Sequence, residues 1–300
     1  MNLTIVEAPR TTGFTTLARM RRELGLDVDD TSQDERLTDL IEEVSADIVS
    51  YCQQPLIRQT VTERLVGYGR PTLMLCVTPV PVAGVTEVLL DDLEIESSEY
   101  YVSNPNAGFL YRSNLWENTR PTAVGIEPNA VNMEGSADFE LTYIGGYILP
   151  GDDITASGIQ VIASDSSFNY AAGTFPILVS GEYIQASSFV TAGNNGRFKV
   201  LSRSLTKLIV EGSLTDETGG IGATIASRNL PRVLESAAIH EIKYRYQSQR
   251  RDPSVTSEHL GDWSASYADP GQASSRLRGI DSGGMHETTA MRIARFVRVE

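Results

Sequence analysis

Most acid–base, nucleophilic or metal chemistry in this chain would have to rest on three histidines, His240, His259 and His286. None stands at a spacing that makes a metal pair or a nucleophile–base pair. The adjacent carboxylates Asp91-Asp92 and Asp152-Asp153 could hold a hard cation in a loop, but such pairs in turns are ordinarily just solvated. Cys52 and Cys76 lie in apolar patterns without ligand spacing, which reads as buried free thiols rather than a disulfide or a metal site. There is no G-x-S-x-G, Walker loop or dinucleotide fingerprint, and Gly219-Gly220-Ile221-Gly222 falls in a strand-rich context as a turn. The expectation is a protein that is not an enzyme, with no catalytic, cofactor-binding or metal site.

Composition agrees with a soluble globular chain: 300 residues, about two domains by length, 41% hydrophobic and 21% charged. No apolar run approaches the roughly 20 residues of a membrane helix. The opening M-N-L-T-I-V-E-A-P-R lacks the build of a signal peptide, so no membrane and synthesis in a cytoplasm are expected. Net charge is −14, unevenly spread. Residues 1–150 carry 10 basic and 23 acidic side chains, residues 151–227 carry 4 and 7, and residues 228–300 carry 11 and 9, which gives balances of −13, −3 and +2. Such a body is a poor scaffold for gripping nucleic acid, though it suits a surface that DNA slides past, and it also serves solubility alone.

Thr15 to Leu24 reads as a short helix ended by Gly25. A second helix opens at Ser32 with Glu35 three residues on, a capping-box spacing, and runs to Pro55. Its apolar face is Leu37, Leu40, Ile41, Val44, Ile48 and Tyr51. The organising stretch comes late, at Asn229 to Tyr267. Asn229 is a good N-cap and Pro231 suits the first turn. Leu234, Ala238, Ile242 and Tyr246 recur every fourth residue, and Lys243, Arg245, Arg250 and Arg251 suit the helix C-terminus before Asp252-Pro253 stops it. Gly261 to Tyr267, with Trp263, reads as a short extended segment.

Between the helices the period changes to two. Strands are expected at Thr60–Val66, Thr72–Val77, Val85–Asp91, Tyr100–Ser103, Phe109–Tyr111 and Asp138–Tyr143. A second β-rich block, Pro150 to Ser227, alternates apolar and polar residues at Ile159–Ala163, Ile177–Ser180, Tyr183–Ala186, Arg197–Ser202 and Lys207–Glu211, with Asn194-Asn195-Gly196 as a turn. Insertion at a loop whose ends lie close together is thermodynamically cheap, so this block is expected to be peripheral and dispensable.

Three segments in order carry a resemblance. The helix D-E-R-L-T-D-L-I-E-E-V-S-A-D-I-V-S-Y-C-Q-Q-P-L comes first, then P-V-P-V-A-G-V-T-E-V with E-Y-Y and F-E-L-T-Y-I-G-G-Y, then N-L-P-R-V-L-E-S-A-A followed by G-D-W-S-A-S-Y. Together these resemble tailed-bacteriophage head-tail connector (adaptor, head-completion) proteins. The run G-E-Y-I-Q-A-S-S-F-V-T-A-G-N-N-G-R-F-K-V resembles a β module that recurs in tailed-phage virion proteins. The resemblance implies an α+β fold: a helical connector core with an antiparallel β-sheet part, an inserted small all-β domain and an extended C-terminal arm. The implied division is 1–149 for the N-terminal helices and sheet, 150–227 for the insert, 228–270 for the closing helix and strand, and 271–300 for the arm.

Functionally the resemblance implies a structural ring, dodecameric when seated, that joins the portal to the tail or the next neck protein. Its partners would be the portal ring, neighbouring copies of itself and a downstream neck or tail protein, with viral DNA passing through without specific binding. Its place would be the virion neck. The alternative is a tail-associated binding module or adhesin that uses the β insert. In the terminal M-R-I-A-R-F-V-R-V-E, the residues Arg292, Ile293, Arg295, Phe296, Val297 and Arg298 follow a Gly/Ser-rich stretch, Asp269 to Glu287. They are expected either to dock on the portal or a neighbouring subunit, or to fold back on their own domain.

Overall fold

The computed structural model describes residues 3–27, 29–75, 81–117, 139–218, 222–248, 257–260, 263–266 and 285–297. The chain divides into two compact units. One comprises Met1–Arg10, Pro55–Ile148 and Asp152–Asn229, and the other Thr11–Gln54, Leu149–Gly151 and Leu230–Glu300. Helices and antiparallel sheets are both present, as expected of an α+β chain. Strand outweighs helix among the described residues, which corrects the expectation of a helical core.

Among the described residues the first unit holds fifteen strands, all paired antiparallel. A five-stranded sheet uses β1 (Leu3–Glu7), β2 (Gln59–Leu65), β4 (Val82–Leu90), β5 (Leu93–Glu94) and β8 (Phe139–Gly145) in the order β1-β2-β8-β4-β5. A three-stranded sheet places β7 (Phe109–Trp116) between β3 (Arg70–Met74) and β6 (Tyr100–Asn104). Their inner faces share one core, in which Val61, Val88 and Leu141 of the first sheet pack with Leu73 and Leu110 of the second. Trp116 fills its centre, edge-on to Phe139 at 5.2 Å, with its indole N–H donating to the Pro71 carbonyl at 3.1 Å. The alternation F-E-L-T-Y-I-G in β8 buries Phe139, Leu141 and Tyr143, as the period of two predicts. Gly146 follows at φ 86°, and a Cβ there would lie 2.4 Å from the Ile57 backbone, so the close approach of the Ile57 and Tyr147 segments requires glycine.

The remaining strands of this unit are β9 (Ile154–Ala156), β10 (Ile159–Ile162), β11 (Ser167–Tyr170), β12 (Tyr183–Ser187), β13 (Gly196–Arg203), β14 (Lys207–Glu211) and β15 (Ala223–Ala226), in the order β10-β11-β14-β13-β12-β15-β9. The two edges, β9 and β10, are consecutive in the chain with only Ser157 and Gly158 between them. Three Cα steps span at most roughly 11 Å, whereas a flat sheet of seven strands would hold its edges roughly 29 Å apart. The sheet therefore curls on itself as a small barrel, filled by Ile159, Phe168, Ile184, Val200, Leu208 and Ile225. Ile177–Ser180, expected as a strand, is not one; the Val179 N–H instead donates to the Glu182 carboxylate at 2.9 Å.

The barrel is tied to the five-stranded sheet by two bidentate ion pairs. Arg58, only 3% exposed, donates to Glu182 at 2.7 and 3.5 Å, and Arg203 donates to Glu7 at 2.7 and 2.9 Å. The entry and exit of the barrel are joined as well, because Asn229 Oδ1 accepts from the Ile148 N–H at 2.6 Å. Cheap insertion is thus met by adjacent ends, and the insert is joined to the sheet by Arg58–Glu182 and Arg203–Glu7.

The second unit holds α1 (Leu17–Leu24), α2 (Asp34–Cys52), α3 (Arg232–Ser248), the terminal α4 (Glu287–Ile293), and a hairpin of β16 (Ser257–Leu260) and β17 (Trp263–Ser266). Gly25 ends α1 at φ 67°, as its sequence predicts, and Thr16 caps a helix that starts at Leu17 rather than Thr15. The capping box expected at Ser32 does not form. Asp30 takes the Ser32 N–H at 2.9 Å, Arg21 holds the Asp34 carboxylate at 2.8 Å, and α2 starts at Asp34 with Gln33 as N-cap. Nor does Asn229 cap the closing helix, since its side chain is committed to Ile148 and α3 begins at Arg232. The stop at Asp252-Pro253, the residues Arg250 and Arg251, and most of the Asp269–Glu287 stretch lie outside the described residues.

Losing one partner of a buried ion pair costs about 3–5 kcal/mol, because the other charge stays buried alone. An exposed pair is worth about 0.2–1 kcal/mol. Glu182→Ala is therefore expected to lower the unfolding free energy by about 3–5 kcal/mol, and Glu140→Ala, which removes the exposed partner of Arg64, by less than about 1 kcal/mol. Urea titration of the two variants beside the parent compares these costs directly.

Candidate interaction surface

The groups singled out for chemistry take structural roles where they are described. Asp91 and Asp92 close the turn between β4 and β5 at φ 51° and 63°. Asp153 accepts from the Ser227 N–H at 3.2 Å, and burial pushes its pKa up, against the lowering pull of Ser227 and Arg228. Cys52 is a free thiol in the α2 core, and burial raises its pKa to about 12, so it is a poor nucleophile. Cys76, the side chain of His259 and Gly219-Gly220-Ile221 lie outside the described residues. Among the described residues no group of three or more His, Cys, Asp or Glu side chains is placed to hold a metal.

The closing helix α3 buries the face its spacing marks, with Leu234, Ala238, Ile242 and Tyr246 all buried. Trp263 stands on β17 opposite Leu260, and its side chain lies outside the described residues. Charge is organised around Arg245. Its guanidinium donates to Glu241 at 3.0 Å one turn back, and to Glu43 and Asp47 of α2 at 2.7 Å each. Burial works against its charge, but the bonds to Asp47 and Glu241 outweigh it and raise its pKa. Glu241 is itself buried and also accepts from the His286 N–H at 3.0 Å. Lys243 reaches Glu23 of α1 at 2.9 Å, and Arg36 lies 4.8 Å over the Tyr246 ring.

The terminal segment resolves the choice between a standing arm and a return to its own domain. Through Val297 it folds back onto α2 and α3. His286 caps α4, and Met285, Thr289, Ala290 and Ile293 are buried. A single 3-10 turn, Ala294–Phe296, follows, and Gln54 donates to the Phe296 carbonyl at 2.5 Å. The extended-arm expectation is corrected for this stretch, where Ile293 is fully buried. Phe296 and Val297 are half-buried, with Arg295 4.9 Å over the Phe296 ring. Arg292, Arg295, Met291 and Tyr244 remain exposed, while Arg298 lies outside the described residues.

Sequence reasoning missed how the barrel builds its most exposed apolar tip. Asn194, read as a turn residue, is fully buried; it donates to the Thr215 carbonyl and to Glu217, and accepts from the Thr215 N–H. Glu217 also receives the N–H groups of Val190 and Thr191 at 2.8 and 3.1 Å. Its pKa falls, because burial, which alone would raise it, is outweighed by these hydrogen bonds. Asn195 ties Phe189 and Thr191 together, and Val190 is left 86% exposed at the tip. The signal was the N-N-G triplet itself, since two asparagines can serve as internal scaffold as well as turn.

A helix of seven residues is not stable alone, so α4 should be sensitive to its buried anchor. Ile293→Ala is expected to cost about 2–5 kcal/mol of its docking. Amide hydrogen exchange should then show protection lost in α4 while α2 keeps its own.

No family model matches the chain, and no curated protein matches it. Among solved structures it is similar to a chain from the neck of an empty GTA particle computed with C6 symmetry, with a TM-score of 0.35 and 19% identity over 51% of this chain and 77% of the other. It is also similar to a chain of the virion of the native gene transfer agent (GTA) particle, with a TM-score of 0.34 and 19% identity over the same shares. Likenesses this distant assign neither fold nor role on their own.

Proposed function

We propose that this protein is a structural component of a phage-type neck: an adaptor whose copies form a ring between the portal and the tail or next neck protein, around the passage taken by DNA. The observation that carries the reading is the order and partnership of the motif segments. The D-E-R-L helix is α2, F-E-L-T-Y-I-G is β8 between β2 and β4, and the L-P-R-V-L helix is α3, which packs on α2 through the Arg245 carboxylate cluster. A connector built on this plan uses the closing helix to complete the helical unit opened by the first. The balance of −13 over residues 1–150 suits a wall that DNA passes without adhering, since adhesion rests on neutralising phosphates.

Assembly on a portal needs a heterologous contact that closes after a full turn. Arg292 and Arg295, exposed beside the half-buried Phe296, supply cationic and apolar groups for a portal or neighbour carboxylate. A second reading, a tail-associated binding module, is favoured by one feature, Val190 on its rigid tip. Mixing the purified protein with its portal and imaging in negative stain separates them. Added density in a ring on the portal is expected, and Arg292→Glu with Arg295→Glu should weaken co-sedimentation several-fold with the fold unchanged by circular dichroism. A protein that leaves the portal bare at every concentration, yet binds cells or tail fibres, would favour the second reading.

A further inference from the structure

The contact between α3 and α4 is built on histidines that nothing in the neck reading requires. His286 is the N-cap of α4: its Nδ1 accepts from the Thr288 N–H at 3.3 Å and also meets the Thr288 hydroxyl. That role needs the tautomer with a bare Nδ1. Its ring packs 4.6 Å from Tyr244 and 5.7 Å from His240. His240 in turn meets the Thr289 hydroxyl at 3.4 Å, and Thr289 is fully buried.

We infer that docking of the C-terminal helix depends on protonation at the His240–His286 contact, because His286 caps α4 through an Nδ1 that accepts a hydrogen bond and its ring packs against His240. A protonated His286 carries a hydrogen on Nδ1 and can no longer accept from the Thr288 N–H, and it sets a positive charge at the positive end of the α4 dipole. A second imidazolium 5.7 Å away adds like-charge repulsion. The surroundings act in the same direction. His240 is held below its ordinary value of 6.5, by burial first, then by Arg292 of α4, by His286 and by Lys243, while Glu241 alone pulls upward. Glu241 is already engaged by Arg245 and the His286 N–H, and Lys243 by Glu23 of α1. From the segment that follows α2, the uncharged Gln54 donates to the Phe296 carbonyl. A group lowered on docking stabilises the docked form above its free value, and that stability is lost as the pH falls through the docked one. The window for release therefore lies below about 6.5.

Hydrogen exchange of the full chain near neutral pH and near pH 5, corrected for intrinsic exchange, tests this. Protection across Thr289–Phe296 should be lost at the lower pH while α2 keeps its own. His240→Gln with His286→Asn, which leaves a cap that does not titrate, should hold α4 equally at both. Equal protection in the parent at both values, joint loss in α2 and α4, or the same acid loss in the double variant would each overturn the inference. Should the double variant fail to dock α4 near neutral pH, His286→Asn alone decides: a release midpoint moved to lower pH supports the switch, and an unmoved midpoint contradicts it.

Discussion

Glu241 is a buried carboxylate, and much of the helical unit is arranged to keep it satisfied. Burying an ion is expensive unless its partners are close and hydrogen-bonded. Glu241 meets that condition twice over, through Arg245 one turn along α3 and through the backbone N–H of His286. Arg245 then extends the network to Glu43 and Asp47, so α2, α3 and the start of α4 are held by one charge cluster beside the buried side chains of Ile48, Ile242 and Ile293. Apolar burial supplies the bulk of the stability, and the cluster fixes which faces meet.

The β unit solves a similar problem at a different scale. Its barrel has a core of its own, with Phe168 packed against Phe189 and Phe198 at 5.4 and 5.7 Å, and it could be mistaken for a free module. Arg58–Glu182 and Arg203–Glu7 argue otherwise, because a guanidinium only 3% exposed cannot do without its counter-ion. The insert is thus cheap in chain entropy, entering and leaving beside Ile148 and Asn229, and it is joined to the sheet by two ion pairs.

The sequence was most readable where one periodicity decides one face. The apolar positions of α2 and α3 and the alternation of β8 are local patterns, and packing follows them. It was least readable where a polar side chain had a choice of partners. Ser32 and Asn229 are both competent caps, but the first is taken by Asp30 and the second by Ile148, so both helices begin later than expected. The pairs that tie the barrel join residues 124 and 196 positions apart and leave no local trace. The terminal arginines at three-residue spacing fitted a docking arm as well as a helix. Burial of Ile293 on its own unit decided between them, and that is a tertiary fact.

The proposed role is positional: copies of this chain are proposed to encircle the DNA passage between portal and tail. A cryo-electron microscopy reconstruction of the assembled particle tests it most directly. The account predicts density for this chain in a closed ring at the neck, with α3 and α4 of each copy against the portal or the adjacent copy. A particle whose neck lacks this chain, or carries it only on the tail, would contradict the account.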